Sequence, residues 1–326
     1  MYFNIRKELY FFFTSIHLLF SQSQDSVNVL ENFQEYKVEN GKNYLYGKPR
    51  LFDFVTYLPK DFVGTIKDCG KKENIIALSG AAIATVVLLS YDQQALYESR
   101  KLGEKIGLKE SVTDSKIGDI SVMVPSDITT SIYLTGSKMT PLVLGVGFAA
   151  YGLINNDYRS MHTASGLVES LIVTGVFSQT FKRISGRQEP HKALETGNKG
   201  GKWSPFPGLD AYEDDPTSYS SFSSGHIMTA TAALYVITEN YPEYKWIKPL
   251  GFTVIALLGF QMAQSNLHWY SDYPLSLVMG YIIGKNIANR KIIKQNKSDK
   301  KASKYSFKFN MRTINGINTF GTVVTF

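Results

Sequence analysis

Two histidines lie in short polar clusters whose residue types suit phosphoryl transfer. His226 closes the sequence Ser224-Gly225-His226, and His268 precedes Asp272 by four residues. Two imidazoles can serve as nucleophile and general acid. A carboxylate at this spacing can accept a ring N–H and fix the tautomer. His268, His226 and Asp272 are therefore the candidate catalytic residues.

Residues suited to binding an anion accompany the histidines. Ser224 and Gly225 open an apolar stretch, where the free N–H groups and the positive end of a helix favour a phosphate. Lys182 and Arg187 form a third cluster with fixed positive charge, and a guanidinium can hold two oxygens at once. We expect Lys182, Arg187, Ser224 and Gly225 to bind phosphate.

Six apolar stretches must position these clusters. They lack the alternation typical of strands, which favours helices, and they cover residues 74–90, 141–154, 161–181, 227–238, 250–263 and 273–284. Most are shorter than the roughly 20 residues of a membrane span, so short tilted spans and buried helices both fit. In an up-and-down bundle, the end of the third helix, the start of the fourth and the junction of the fifth and sixth share one end. The three clusters therefore converge on one site.

Composition excludes several classes of protein. With 44% hydrophobic residues, 19% charged residues and one cysteine among 326, the chain is not disordered, not a disulfide scaffold and not a zinc ribbon. Its mean hydropathy of −0.12 is too low for a transporter built from long apolar spans. The net charge of +7 comes from residues 285–308, which include nine Lys or Arg and one Asp. The charge therefore indicates no general nucleic-acid surface.

The two ends of the chain have patterns of their own. Arg6 and Lys7 precede an apolar run and small residues, which is typical of a signal peptide over residues 1–23. The last residues alternate around a turn at Asn315-Gly316, which predicts a short β-hairpin. We divide the remaining chain into an exported N-terminal segment, a helical catalytic domain and a basic tail with the hairpin, over residues 24–72, 73–288 and 289–326.

The three clusters resemble the signature of the type 2 phosphatidic acid phosphatase (PAP2) superfamily, which also contains bacterial acid phosphatases and vanadium haloperoxidases. Its pattern is K-x6-R-P, then P-S-G-H, then S-R-x5-H-x3-D, and the match here runs in that order from Lys182 to Asp272. The resemblance implies an all-α, six-helix PAP2-type bundle that is membrane-embedded or membrane-associated. It also implies that His268 forms a phosphohistidine, that Asp272 orients it and that His226 protonates the leaving group. No metal or other cofactor is implied, and vanadate would inhibit as a mimic of phosphate.

The chain departs from this signature at both arginine positions. Glu189 stands where the first motif has its arginine, and Met262 stands six residues before His268, where the third motif has the other. In our interpretation Arg187 takes over part of the first role. Glu189 either faces the pocket or pairs with Lys182 or Arg187, and we favour pairing because an unpaired carboxylate would oppose the binding of phosphate. Losing a charged contact to the transition state typically costs a few kcal/mol, so we expect weaker activity or a different substrate.

The sequence therefore predicts a phosphatase that hydrolyses phosphomonoester or pyrophosphate groups of lipid-linked or small phosphates. Its partners would be the phosphorylated lipid or small phosphate and a membrane, and no nucleic acid. Two alternatives stay open, a non-catalytic phosphate- or lipid-binding envelope protein and a vanadium-dependent haloperoxidase. Retention of His226, His268 and Asp272 together argues against a pure binder, and the missing arginines argue against tight retention of vanadate.

We expect the protein in the bacterial cell envelope, in the membrane or periplasm, with the active site facing the periplasm. The number of crossings leaves a conflict open. Six crossings after an exported N-terminus would put the catalytic end inside. The basic tail instead favours an inside C-terminus, which puts that end outside.

Overall fold

The computed structural model describes residues 33–38, 42–110, 115–117, 120–122, 124–296, 306–314 and 317–325. The predicted signal peptide lies outside these residues. Most of the described chain is helical, as predicted. The α-helices are α1 (Asp53–Thr56), α2 (Leu58–Cys69), α3 (Lys72–Leu89), α4 (Asp92–Lys105), α5 (Ile128–Thr135), α6 (Met139–Asn155), α7 (Tyr158–Ser185), α8 (Pro190–Thr196), α9 (Leu209–Asp214), α10 (Gly225–Asn240), α11 (Ile247–Gln264) and α12 (Tyr273–Lys291).

Each of the six predicted apolar stretches forms one helix: α3, α6, α7, α10, α11 and α12. The longest, α7, begins where the Asp157 side chain accepts the Ser160 N–H at 2.7 Å, a helix cap of the usual kind. It ends at Gly186, which has a φ of 53°. A Cβ at Gly186 would lie 1.8 Å from the Ser204 carbonyl oxygen, so the turn after α7 requires glycine. This turn directs the chain from the helix into the first polar cluster.

Helices α7 and α10 pack antiparallel through small and polar side chains. A Cβ at Gly166 would lie 3.1 Å from Val236, and the hydroxyls of Thr174 and Thr229 are 3.0 Å apart further along the pair. Near the far end, a Cβ at Gly225 would lie 2.8 Å from the Ser178 hydroxyl. The end of α7 therefore lies beside the start of α10.

Helices α10 and α12 pack parallel and very close. A Cβ at Gly280 would lie 2.5 Å from the Met228 carbonyl oxygen, and one at Gly284 would lie 2.3 Å from that of Ala232. The absence of side chains at these two positions allows the backbones to approach. Around this contact lies the main core, formed by Leu167, Val173, Met228, Ala232, Ala233, Val236, Met279, Ile282, Ile283 and Ile287.

Glu169, which interrupts an otherwise apolar stretch, is fully buried in a cluster of charges. Its carboxylate pairs with Lys291 Nζ at 2.6 Å and with Arg290 Nη2 at 2.8 Å. Arg290 also pairs with Asp61 of α2 at 2.5 Å. The cluster explains the polar residue in α7, because paired charges are tolerated in an interior where single ones are not. It also ties the N-terminal helix α2 to the C-terminal end of α12.

Three small sheets complete the part of the fold that the structure describes. Strands β1 (Phe33–Val38), β2 (Lys42–Gly47) and β5 (Ile293–Asn296) form one sheet in that order, with β2 and β5 antiparallel. Parts of the predicted exported segment and of the basic tail therefore share a sheet. Strands β3 (Ser115–Ile117) and β4 (Ile120–Val122) form a second sheet. Strands β6 (Ser306–Ile314) and β7 (Ile317–Thr325) form the predicted C-terminal hairpin, whose turn at 315–316 lies outside the described residues.

Several helices carry apolar side chains on their outer faces. Among the described residues, α3 and α11 are long and apolar enough to cross a membrane, and α5 with α6, bent by 68°, counts as a third if taken together. Ile76, Ile83 and Val86 of α3 are each more than 60% exposed. Exposed apolar area of this extent is typical of a surface that meets lipid. These helices suggest a membrane protein.

Candidate active site

The three polar clusters meet at one end of the bundle, as the helix order predicts. The Ser185 hydroxyl, at the end of α7, donates to the Phe222 carbonyl at 2.9 Å. The Ser224 N–H, before α10, donates to the Asp272 carbonyl at 3.4 Å. The residues after α7, those before α10 and those before α12 therefore form one site.

His268 and Asp272 contact each other inside this site. His268 Nδ1 lies 3.3 Å from Asp272 Oδ2, and the same carboxylate oxygen accepts the Ser221 hydroxyl at 2.6 Å and the Trp269 N–H at 3.0 Å. With Nδ1 donating to this carboxylate, His268 keeps the lone pair of Nε2 for a substrate. His268 is only 5% exposed, so little water competes for it.

Asp272 stays ionised although it is completely buried. Burial by itself raises the pKa of this carboxyl, but the Arg187 guanidinium and the hydrogen bonds from His268 and Ser221 outweigh burial and hold the pKa below its usual range. A charged carboxylate can both orient the imidazole and stabilise positive charge on it.

Arg187 does not take the phosphate-binding position that the sequence suggested. Its side chain is fully buried. Nη1 donates to Asp272 Oδ1 and to the Ser271 hydroxyl, both at 2.6 Å, and Nη2 donates to Asp92 Oδ2 at 2.8 Å and the Gly200 carbonyl at 3.0 Å. With both Nη groups directed at these partners, Arg187 anchors Asp272 and is not placed to grip a substrate phosphate. Its Nε is buried and has no hydrogen-bond partner among the described residues.

Asp92 is a site residue that sequence reasoning missed. It opens α4 and is fully buried, and its carboxylate accepts the Ser271 N–H at 3.0 Å in addition to Arg187. Ser221 was missed as well. Neither belongs to a recognisable motif, and Asp92 lies 95 residues from Arg187 in sequence. Only the folded chain brings these groups together.

The start of α10 is open to an anion. Ser224 is its N-cap, but no side chain caps the helix. The hydroxyls of Ser223 and Ser224 are buried and have no hydrogen-bond partner within the described part of the chain. Buried hydroxyls usually find partners, and the first N–H groups of a helix have none inside it. A phosphate at this point would satisfy both sets of donors.

His226 follows directly in α10 and faces the other catalytic histidine. Its ring centroid lies 6.4 Å from that of His268 and 4.7 Å from that of Tyr133. Burial lowers the pKa of His226 to about 3, and the neighbouring His268 ring and the cations Lys182 and Lys138 act in the same direction. In the free protein this imidazole is therefore neutral at pH 7.

A cavity of about 1120 Å³ opens beside His226. Its polar wall includes Lys182, whose pKa is lowered by burial in spite of the negative charges of Glu189 and Asp272. Lys138 and Arg183 add two more cations. The remaining wall is largely apolar and includes Leu171, Ile172, Val176, Ile184, Phe206 and Leu209. A molecule with an anionic head and an apolar body would fit such walls.

The two residues at the motif arginine positions have structural surroundings of their own. The predicted pairing of Glu189 with Lys182 or Arg187 is not found among the described residues. The Glu189 carboxylate accepts the Ser220 hydroxyl and lies 3.6 Å from His191 Nδ1. Glu189 is the N-cap of α8, directly before Pro190.

Met262 is fully buried in an apolar cluster with Ile227, Leu258 and Tyr273. Position 262 of α11 therefore faces a core in this chain. With Met262 and Glu189 at the two motif positions and Arg187 engaged elsewhere, the expected arginine contacts to phosphate are missing.

Comparison with known proteins agrees with the motifs. Residues 163–291 match the family model described as the PAP2 superfamily, a range that holds all three clusters. This match supports membership of the PAP2 superfamily, and it confirms the resemblance seen in the sequence. The chain is also similar to the crystal structure of a transmembrane PAP2-type phosphatidylglycerolphosphate phosphatase from Bacillus subtilis, with 12% identity and a TM-score of 0.38. That comparison covers 78% of this chain and all of the other. Comparison with curated proteins gives no match.

Proposed function

We propose that the protein is a phosphatase that hydrolyses phosphomonoester or diphosphate groups through a phosphohistidine on His268. The observation that carries the proposal is the contact of His268 Nδ1 with Asp272 at 3.3 Å, across from the ring of His226. A protein that only binds phosphate has no need of an imidazole held in one tautomer by an ionised carboxylate. The family match supports the same class of reaction.

In the first step, Nε2 of His268 attacks the phosphorus atom of the substrate. The bond from phosphorus to the leaving oxygen breaks, and that oxygen keeps the electron pair. Lys182 and the N–H groups at the start of α10 stabilise the charge on the phosphoryl oxygens. The Asp272 carboxylate stabilises the positive charge that develops on the His268 ring.

His226 transfers the proton in both steps, first as an acid and then as a base. The negative charge of a bound phosphate raises the pKa of the neighbouring imidazole, so His226 takes up a proton with the substrate and passes it to the leaving oxygen. In the second step the neutral ring accepts a proton from a water molecule, whose oxygen attacks phosphorus. The bond between phosphorus and Nε2 breaks, phosphate leaves and His268 is restored.

We assign a lipid-linked phosphate as the substrate class. The cavity wall continues from Lys182 to apolar side chains of α7, among them Ile172 and Val176, which are 36% and 49% exposed on the outer surface. Such continuity would let an acyl or prenyl chain lie along the helix while its phosphate reaches His268.

We further propose that the active site faces the periplasm in a bacterial cell envelope. Arg290 and Lys291 end α12, about 27 Å along the helix from Asp272. Basic residues of this kind favour the cytoplasmic side, which leaves the catalytic end outside. In this orientation strands β1 and β2, which share a sheet with β5 of the basic tail, lie on the cytoplasmic side, and not outside as the sequence analysis expected.

The test is phosphate release by the purified protein in detergent. The panel is p-nitrophenyl phosphate, phosphatidic acid and a prenyl diphosphate, each with and without vanadate. We expect release that vanadate inhibits and that His268→Ala abolishes, with the lipid substrates preferred. If the folded protein binds phosphate but releases none from any of the three, it is a binding protein and the proposal is wrong.

A further inference from the structure

Lys138 lines the same cavity as His226 and Lys182, although no motif points to it. It is the N-cap of α6, in the short turn that follows α5. A Cβ at Gly136 in this turn would lie 3.2 Å from Cβ of His226, and the ring of Tyr133 packs on the His226 ring. The turn therefore covers His226 and carries Lys138 to the cavity wall.

The ammonium group of Lys138 is available to a ligand. Within the described part of the chain, no carboxylate lies within 4.0 Å of it. The neighbouring cation Arg183 is engaged differently, since its guanidinium stacks on the Tyr212 ring at 3.7 Å. The charge of Lys138 reaches both Lys182 and His226, because it lowers the pKa of each. An anion between these three groups would relieve their mutual repulsion.

We propose that Lys138 binds the leaving group of the substrate, so that the site prefers substrates whose leaving group is itself a phosphate. This inference rests on the proposed function, because the leaving group is located by the role of His226. Lys138 is carried by the turn that packs against His226, the residue that protonates the leaving oxygen, whereas Lys182 and the N–H groups at the start of α10 are proposed to hold the phosphoryl group that is transferred. It also lies outside residues 163–291, which match the family model.

The chemistry of a diphosphate fits this arrangement. Nε2 of His268 attacks the terminal phosphorus, the bond to the bridging oxygen breaks, and that oxygen leaves with the electron pair as part of a phosphate anion. Lys138 donates hydrogen bonds to this anion, so less of the proton transfer from His226 has to precede breaking of the bond. The proton of His226 still ends on the departing phosphate, which leaves the ring neutral for the second step. An alcohol leaving group needs that proton and offers Lys138 no charge to bind. Lys138 therefore favours cleavage of a diphosphate bond over cleavage of a phosphomonoester bond.

The experiment compares two substrates that share one lipid group, geranyl diphosphate and geranyl monophosphate. Lys138→Gln should lower kcat/KM for the diphosphate about tenfold or more and for the monophosphate less than about threefold, since it removes a charged contact to one leaving group only. Lys138→Arg should retain most of the diphosphate activity. Lys248→Gln is the matched control, because Lys248 is exposed and lies in the first turn of α11, about 24 Å along the helix from its catalytic end. This variant should leave kcat/KM for both substrates unchanged.

Equal losses on both substrates would overturn the proposal, since Lys138 would then hold the transferred phosphoryl group. Unchanged activity on the diphosphate would overturn it as well. A wild-type protein that releases phosphate from neither substrate would contradict the proposed function instead.

Calorimetric binding separates these failures. Lys138→Gln should weaken binding of methylenediphosphonate and leave binding of inorganic phosphate unchanged. This result is expected even from an inactive protein, and equal binding of the diphosphonate by the variant and the wild type would overturn the role of Lys138.

Discussion

Arg187 and Asp272 form an ion pair in which both side chains are completely buried, with Nη1 2.6 Å from Oδ1. The other side of the guanidinium pairs with Asp92 at 2.8 Å. One cation thus compensates two buried carboxylates, one of which orients His268. The ion pair links the stability of this end of the bundle to the geometry of the candidate nucleophile.

Replacing Arg187 should damage folding before it changes phosphate binding. Arg187→Gln leaves two carboxylates buried without their cation, which typically costs about 3–5 kcal/mol, so the melting temperature in detergent should fall sharply. Arg187→Lys should be intermediate, because it keeps the charge and loses the two-sided contact. A variant of normal stability that is inhibited less by vanadate would instead place Arg187 on the phosphate.

Replacement of the nucleophile His268 and replacement of its carboxylate partner Asp272 should leave different residual activities. His268→Ala removes the attacking atom and should abolish phosphate release, whereas Asp272→Asn should leave a trace, lower by about 10³–10⁴-fold. Phosphate release at saturating substrate measures both. Retention of more than about a tenth of the activity by folded His268→Ala, a change of only about 1.4 kcal/mol in the barrier, would contradict the assignment.

Asp92→Asn is the control for this comparison. It disturbs the partner of Arg187 without touching His268, so its effect should fall on stability more than on turnover.

We expect the His226 ring to take up a proton when phosphate binds. The pKa of this residue in the free protein is about 3, well below its usual value, so at about pH 6 the ring is neutral. A bound anion raises that pKa and the ring becomes protonated. Calorimetry in buffers of different ionisation enthalpy should show the uptake, and His226→Asn should remove it. An unchanged uptake in His226→Asn would assign the proton to another group.

The loss of activity that follows replacement of His226 should depend on the leaving group of the substrate. His226→Ala should reduce hydrolysis of alkyl phosphates most and of p-nitrophenyl phosphate least, because p-nitrophenolate leaves with little protonation. The ratio of the two rates is the measurement. Equal losses would mean that His226 does not protonate the leaving oxygen.

Introducing the arginine of the third motif should destabilise this chain. Met262 is fully buried among Ile227, Leu258 and Tyr273, so Met262→Arg buries a charge without a partner. We expect a lower melting temperature and no tighter inhibition by vanadate. Met262→Leu, of similar volume, should cost less than about 1.5 kcal/mol. A stable Met262→Arg variant with tighter inhibition would show that position 262 can reach the phosphate.

Orientation can be tested with reporter fusions after Thr196 and after Pro216, which flank the candidate site in the connection between α7 and α10. Both reporters should be active outside the cytoplasm if the site faces the periplasm. A fusion after Phe326, beyond the basic tail, should report the cytoplasm as the control. Cytoplasmic signals from the first two fusions would reverse the orientation.

The sequence predicted the helices and the convergence of the clusters, because apolar runs and helix order are local properties. It could not predict the partners of Arg187, since the choice between a substrate phosphate and Asp92 depends on contacts across 95 residues. Lys138 is the only Lys or Arg between residues 124 and 158. That isolation was a usable signal, but the distance to His226 exists only in the folded chain.

The departures Glu189 and Met262 show the same limit. A motif counts residues along the chain, and it assumes that the counted position faces the substrate. In this chain α8 begins at Pro190 and α11 turns Met262 to a core. Glu189 contacts Ser220 and His191, and Met262 packs in an apolar core. The spacing along the sequence alone could not predict these contacts.

The glycine contacts between α10 and α12 have a consequence for the electric field. Because the two helices run parallel, their macrodipoles point the same way, and both positive ends lie at the site. Gly280 and Gly284 fix how close these ends are, although Gly284 is about 18 Å along α12 from Asp272. A methyl group at Gly284 would separate the helices and weaken the combined potential felt by a dianion. The absence of side chains at Gly280 and Gly284 thus influences the electrostatic potential at the site, although neither glycine contacts the site.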